Sequence, residues 1–111
     1  MTYQVEMSAM ASREVRQTYR WKAEKDRRAA GRWQAALLAA IHSLEDQPER
    51  FSLAPEAEWC HRPIRQMLFG KRSGVYRVLY HVRGDVVFIA RVRHSAQDFL
   101  SSDDLEATAD E

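Results

Sequence analysis

The spacing of apolar residues changes its period along the chain, and each change marks an element. Tyr3 to Met7 is a short stretch that stops at Ser8, which predicts a strand running into a helix N-cap. From Ala9 to about Asp26 there is neither Gly nor Pro, and Ala11, Val15 and Tyr19 recur every four residues. That spacing places one apolar stripe along a helix. Lys25-Asp26-Arg27-Arg28 is a polar break, and a second helix is expected from about Ala29 to Glu45, with Trp33, Leu37, Ile41 and Leu44 as its stripe. Two such helices joined by a short polar turn form a helical hairpin. Trp21 and Trp33 read as packing residues of that hairpin.

Pro48 ends the second helix. Gln47 to Pro63 contains three prolines and no clean period, so a wrapped loop is expected there. Beyond it the pattern becomes strand-like. Ile64–Phe69, Val75–Val82 and Val86–Arg93 are rich in Val, Ile, Leu, Tyr and Phe. The separators, Gly70-Lys71-Arg72-Ser73-Gly74 and Arg83-Gly84-Asp85, have turn compositions. The expected order is β-α-α-β-β-β followed by a short helix near Phe99 to Ala107. This is a single α+β domain over residues 1–111, with the helical hairpin on one face of a small antiparallel sheet.

Alternation along the strands suggests how the faces divide. In the middle strand Tyr76, Val78, Tyr80 and Val82 form an apolar set suited to the helix-covered face, leaving Arg77 and His81 on the other side. In the last strand Val86, Phe88, Ala90 and Val92 are expected inside, with Val87, Ile89, Arg91 and Arg93 opposite them. A turn centred on Gly84 would set Arg77 directly across from Arg91. Like charges so placed repel unless an anion lies between them or the long side chains splay apart.

Composition removes several classes. At 45% hydrophobic residues the chain has enough apolar content for a small core. No apolar run approaches a membrane span, and the N-terminus lacks a signal-peptide layout, so a soluble cytoplasmic protein is expected. The single cysteine, Cys60, excludes an intramolecular disulfide, and no Cys/His spacing suits a metal. No cofactor is expected either, since phosphate-binding glycine loops, metalloprotease motifs and serine elbows are all missing.

The formal charge of +1 conceals a strong segregation. Residues 60–97 carry +7, whereas residues 98–111 carry −6. The basic segment reads as a polyanion-facing surface, or as a sheet edge kept charged against aggregation. The acidic tail 101–111 reads as a solubilising end, or as a segment that folds onto the basic face and competes with nucleic acid.

Candidate chemistry concentrates on the strands. Arg77 and Arg91 have the fork geometry that grips phosphate. His94, at the end of the last strand, suits a general acid or base because its ordinary pKa lies near neutrality, although a surface histidine is the plainer reading. Lys71 and Arg72 occupy a hairpin tip, as phosphate contacts or as ordinary solvated turn residues. Arg83-Gly84-Asp85 is accounted for as a tight turn, and Cys60-His61 lacks a third partner for thiol catalysis.

Ile64-Arg65-Gln66, Gly74-Val75-Tyr76-Arg77-Val78-Leu79-Tyr80 and Ile89-Ala90-Arg91-Val92-Arg93-His94 together resemble the RelE/ParE superfamily of bacterial toxins. Trp33, Leu37, Ile41, Leu44 and Pro48 are similar to its second helix and following turn, so the resemblance spans roughly residues 3–100. It implies the toxin of a type II toxin–antitoxin (plasmid stabilisation) system. A cognate antitoxin would wrap and block it in a hetero-oligomer. RelE-like members cut messenger RNA in the ribosomal A site without metal. For that activity the resemblance implies Arg77, Arg91 and His94 as catalytic groups, and Arg65, Lys71, Arg72 and Arg93 as nucleic-acid contacts. ParE-like members instead poison DNA gyrase and need no catalytic set. A third outcome is a non-toxic module that only binds antitoxin. Many ribonuclease members place a base-stacking aromatic just after the histidine, whereas Ser95-Ala96 follow His94 here and the nearest aromatic is Phe99. RNA cleavage is the favoured expectation, because Arg77, His94 and the basic segment all suit RNA.

Overall fold

The computed structural model describes residues 2–109, apart from the side chains of Ser73 and residues 106–109. A four-stranded sheet, β1 (Gln4–Met7), β2 (Arg65–Phe69), β3 (Tyr76–Arg83) and β4 (Val86–His94), is arranged in the order β1-β4-β3-β2. β2, β3 and β4 form the expected antiparallel meander. β1 adds to its edge parallel to β4, so the sheet is mixed.

Helices α1 (Ala9–Lys25) and α2 (Arg27–His42) form the hairpin. Ser8 ends β1 and starts α1. Its amide donates to the Ile89 carbonyl, its hydroxyl donates to the Ala90 carbonyl at 2.7 Å, and that same oxygen accepts the Ala11 amide at 2.9 Å. Asp26 alone makes the turn between the helices. Its amide donates to Lys22 O and its carboxylate caps α2 through the Ala29 amide at 3.1 Å. α2 therefore begins two residues before the expected Ala29, and it gives way after His42 to a 3-10 turn over Ser43–Glu45.

The apolar stripes meet the sheet as their spacing requires. Ala11, Val15, Leu37, Ile41 and Leu44 pack on Met67, Val78, Tyr80, Val87, Ile89 and Val92. The fully buried Tyr80 keeps its hydroxyl satisfied by donating to Pro48 O. The opposite face of the sheet is covered as well. Leu79 and Ile64 pack there with Ala54 of the proline-containing loop and with Leu100 and Leu105, the latter from helix α3 (Ser102–Ala109). The last residues of the acidic tail, 110–111, lie outside the described residues.

Two expectations about β4 need correction. The turn to β4 comprises Gly84 and Asp85, so Arg83 pairs with Val86, Val82 with Val87 and Tyr80 with Ile89. A bulge at Leu79/Tyr80 then gives β4 one extra residue, so Leu79 pairs with Arg91 and Arg77 with Arg93. Arg77 therefore faces Arg93 and not Arg91. The bulge also changes which side chains enter the helix-covered core: Val87 and Ile89 do so before it and Val92 after it, while Phe88 packs beside His81 with ring centroids 5.3 Å apart.

Candidate functional site

Arg77 lies on the sheet face away from the hairpin, as alternation predicts, but it does not point into solvent. It is 4% exposed. Its Nη1 and Nη2 donate to the two Glu56 oxygens at 3.0 and 2.5 Å, and its Nε donates to Gln66 Oε1 at 2.9 Å. Glu56 comes from a 3-10 turn, Pro55–Glu58, whose first residue is a proline. Burial raises the Glu56 carboxyl's pKa. The Arg77 hydrogen bonds, the Leu100 amide and the Arg77 charge outweigh that effect and leave it below its ordinary value. The Phe99 ring then covers Arg77, its centroid 5.2 Å from the guanidinium carbon. Arg93, the cross-strand neighbour, donates through Nη2 to the Asp98 carbonyl at 3.2 Å.

Arg91 is held elsewhere. Its Nε and Nη2 reach the Glu14 carboxylate of α1, the latter at 2.8 Å. One oxygen of that carboxylate also accepts the Val92 amide at 2.9 Å. β1 pairs only with Val86–Ile89, so beyond Ile89 the edge of β4 is closed by side chains: Ser8 on Ala90 O, Glu14 on Val92 N and Gln97 on His94 N.

His94 ends β4 beside a cleft of about 510 Å³ lined by Glu14, Trp21, Tyr76, Arg91, Arg93 and Gln97, among others. Its ring stands edge-on to Tyr76 with centroids 5.1 Å apart. Its Nδ1 accepts the Ala96 amide at 3.0 Å, which places the proton of the neutral ring on Nε2. Tyr76 in turn packs on Trp33 at 5.2 Å, with the Lys22 ammonium 5.2 Å from the indole centroid. Trp33 is thus a packing residue, whereas Trp21 is 53% exposed at the cleft.

The remaining basic candidates are dispersed. Lys71 and Arg72 sit in the β2–β3 connection, at the same end of the sheet as His94, because Phe69, Tyr76 and His94 lie in one row of the register. Arg72 has a left-handed backbone with φ 57°. Arg65 lies farther along, opposite Tyr80, donating to Phe51 O at 2.7 Å and 3.7 Å from Glu49. The fold thus brings Arg77 to Arg93, and sets Arg91, Arg93 and His94 around one cleft. It gives Arg77 and Arg91 separate carboxylate partners. Glu56, Glu14 and Gln66 escaped the sequence reading. Glu14 carried a signal, lying three residues after Ala11 and next to Val15 on the buried side of α1. Glu56 carried none, because the loop around it has no period. Among the described residues no group of three His, Cys, Asp or Glu side chains is placed to hold a metal.

Comparison with known proteins bears on this geometry. Over 98 residues the chain is 31% identical to Toxin RelE1 of Caulobacter vibrioides, covering 87% of this chain and 98% of that protein. A solved structure titled "Chromosomal ParDE TA system from P. aeruginosa" shares the fold. Its TM-score is 0.67 at 12% identity, over 84% of this chain and 96% of that one. The family model described as "ParE toxin of type II toxin-antitoxin system, parDE" matches residues 5–99, and the chain belongs to that family, within the RelE/ParE superfamily of type II toxins.

Proposed function

We propose that this toxin arrests growth by binding a protein target in the manner of ParE-like gyrase inhibitors, without cutting RNA, and that a cognate antitoxin neutralises it. One observation carries this reading. The arginine expected to stabilise the transition state, Arg77, is almost wholly buried and donates three hydrogen bonds to Glu56 and Gln66. A group that stabilises a phosphorane must aim free N–H donors at the developing charge. Arg91 is likewise paired with Glu14.

A second reading, ribosome-dependent messenger cleavage, draws on a different observation: His94 and Arg93 line the same open cleft. In it His94 is the acid/base, Arg93 the phosphate contact, and Lys71 and Arg72 hold the backbone from the neighbouring turn.

One experiment separates the two. The purified chain is added to a gyrase supercoiling assay, and in parallel to a bacterial translation extract in which messenger 5′ ends are mapped. Inhibited supercoiling with an intact messenger is expected. New ends within codons, appearing only during translation and lost in His94→Ala, would replace this reading with the second. No helix among the described residues is long and apolar enough to cross a membrane, and the proposed site of action is the cytoplasm.

A further inference from the structure

We propose that the outer face of the helical hairpin, the side turned away from the sheet, is a docking surface for the phosphate backbone of duplex DNA. The choice of DNA rests on the gyrase-like reading above, because such a target works while holding duplex DNA. The backbone contact itself does not depend on that reading.

Spacing along the two helices gathers the arginines on this face. Residues 13–32 hold eight basic side chains and three acidic ones, a net +5. A helix advances about 100° per residue, so Arg13, Arg16 and Arg20 share a sector of about 60° on α1. That sector lies opposite the buried Ala11 and Val15. Arg28 and Arg32, four residues apart, likewise lie on the side of α2 away from the buried Leu37 and Ile41. All five are exposed, and among the described residues none of them enters an ion pair. Glu14 is bound to Arg91 and Asp26 caps α2, which leaves Glu24 as the remaining acid of the stretch.

This arrangement works against the helices that carry it. Like charges three or four residues apart repel, as Arg13 and Arg16, Arg16 and Arg20, and Arg28 and Arg32 do. Arg27 and Arg28 also occupy the first turn of α2, where the helix dipole disfavours cations and no acidic residue offsets them. A merely solvated face mixes both signs of charge and avoids these repulsions. A polyanion laid along both stripes removes them.

The face fits a duplex better than a protein or a single strand. From Arg13 to Arg20 the stripe runs about 10 Å, over which one strand of a duplex presents about three phosphates. A protein interface needs a desolvated apolar centre, and single-strand binding needs stacking aromatics. The large apolar side chains exposed on the hairpin, Trp21 and Leu38, lie off the arginine stripes, at the His94 cleft and beside β1.

The test compares the full chain with Arg16→Gln/Arg20→Gln/Arg28→Gln, whose glutamines keep good helix propensity. Anisotropy of a short fluorescein-labelled DNA duplex is followed across a salt series. The unaltered chain should give a log–log salt slope of about −4 to −5, and the variant a slope shallower by about three with affinity at least tenfold weaker at low salt. Unchanged affinity and slope would overturn the proposal, as would an RNA duplex of the same sequence that binds more tightly than the DNA. Backbone NMR shifts of the unaltered chain cover the case in which the variant does not fold. Added duplex should move resonances along the outer stripes of α1 and α2, and shifts confined to β3 and β4 would overturn the proposal equally. A second arm measures binding to gyrase alone and to gyrase holding DNA. The variant should match the unaltered chain on gyrase alone and fall behind on the DNA complex. A variant that loses gyrase alone while keeping its duplex affinity would make the face a contact for an acidic protein surface and overturn the proposal. A chain that ignores gyrase yet binds the duplex as described would overturn the gyrase reading and leave the backbone contact standing.

Discussion

The Glu56 carboxylate binds the Arg77 guanidinium through both oxygens, and its Oε2 takes the Leu100 amide as well, so one buried side chain joins the central loop, β3 and the C-terminal segment. Both members are almost wholly buried, at 0% and 4% exposure. Removing one partner of such a pair leaves an uncompensated charge, which costs about 3–5 kcal/mol. Glu56→Gln and Arg77→Ala should each lower stability by that order in urea denaturation. Glu56→Leu/Arg77→Met should recover much of the loss, and a double variant as unstable as the sum of the singles would refute the pairing argument.

His81 makes stability depend on pH. Burial, then the charges of Arg83 and Arg62, lower its pKa from the ordinary 6.5 to about 4. The unfolded chain takes up this proton below pH 6.5 while the folded one refuses it until about 4, so stability falls as pH drops through that window. The full loss from this group is on the order of 3 kcal/mol. Glu56 adds a loss in the same direction, but only below its unfolded value of 4.5. Urea midpoints between pH 7 and pH 5 therefore report mainly His81. His81→Leu should flatten that part of the profile, and an unchanged slope would assign the effect elsewhere.

Gly70 is required by the turn after β2. Its φ is +105°, and a Cβ there would come within 2.1 Å of the Gly74 carbonyl oxygen. Gly70→Ala should destabilise by about 2 kcal/mol or more. A Cβ on Gly74 meets nothing within 4 Å, so Gly74→Ala should change stability far less. Thermal melts of the two variants give the comparison directly.

Glu14 serves as a side-chain substitute for a missing strand. Glu14→Ala removes the acceptor for both the Val92 amide and Arg91 at once. A loss of about 1.5–3 kcal/mol is expected for hydrogen bonds to a charged group. Exchange of the Val92 amide should rise well above that of Val78, which lies within the sheet. Equal protection of the two would mean that water or a neighbour replaces the carboxylate.

Local pattern was enough for the elements of this fold. A stripe at every fourth residue gives the hairpin, because a helix turns in 3.6 residues, and Ser8 and Asp26 stop and start it by capping. Alternation and turn residues give three of the strands. Which strands neighbour each other, and how each basic side chain is used, depend on contacts distant in sequence. The register that sets Arg77 against Arg93 rests on one extra residue at the bulge, to which a period of two is blind. The partners that close Arg77 and Arg91 stand 21 residues before the one and 77 before the other. Sequence thus determined that the arginines lie on a sheet. Only the tertiary structure decided that two of them are neutralised, because a buried guanidinium must find its carboxylate wherever the fold brings one.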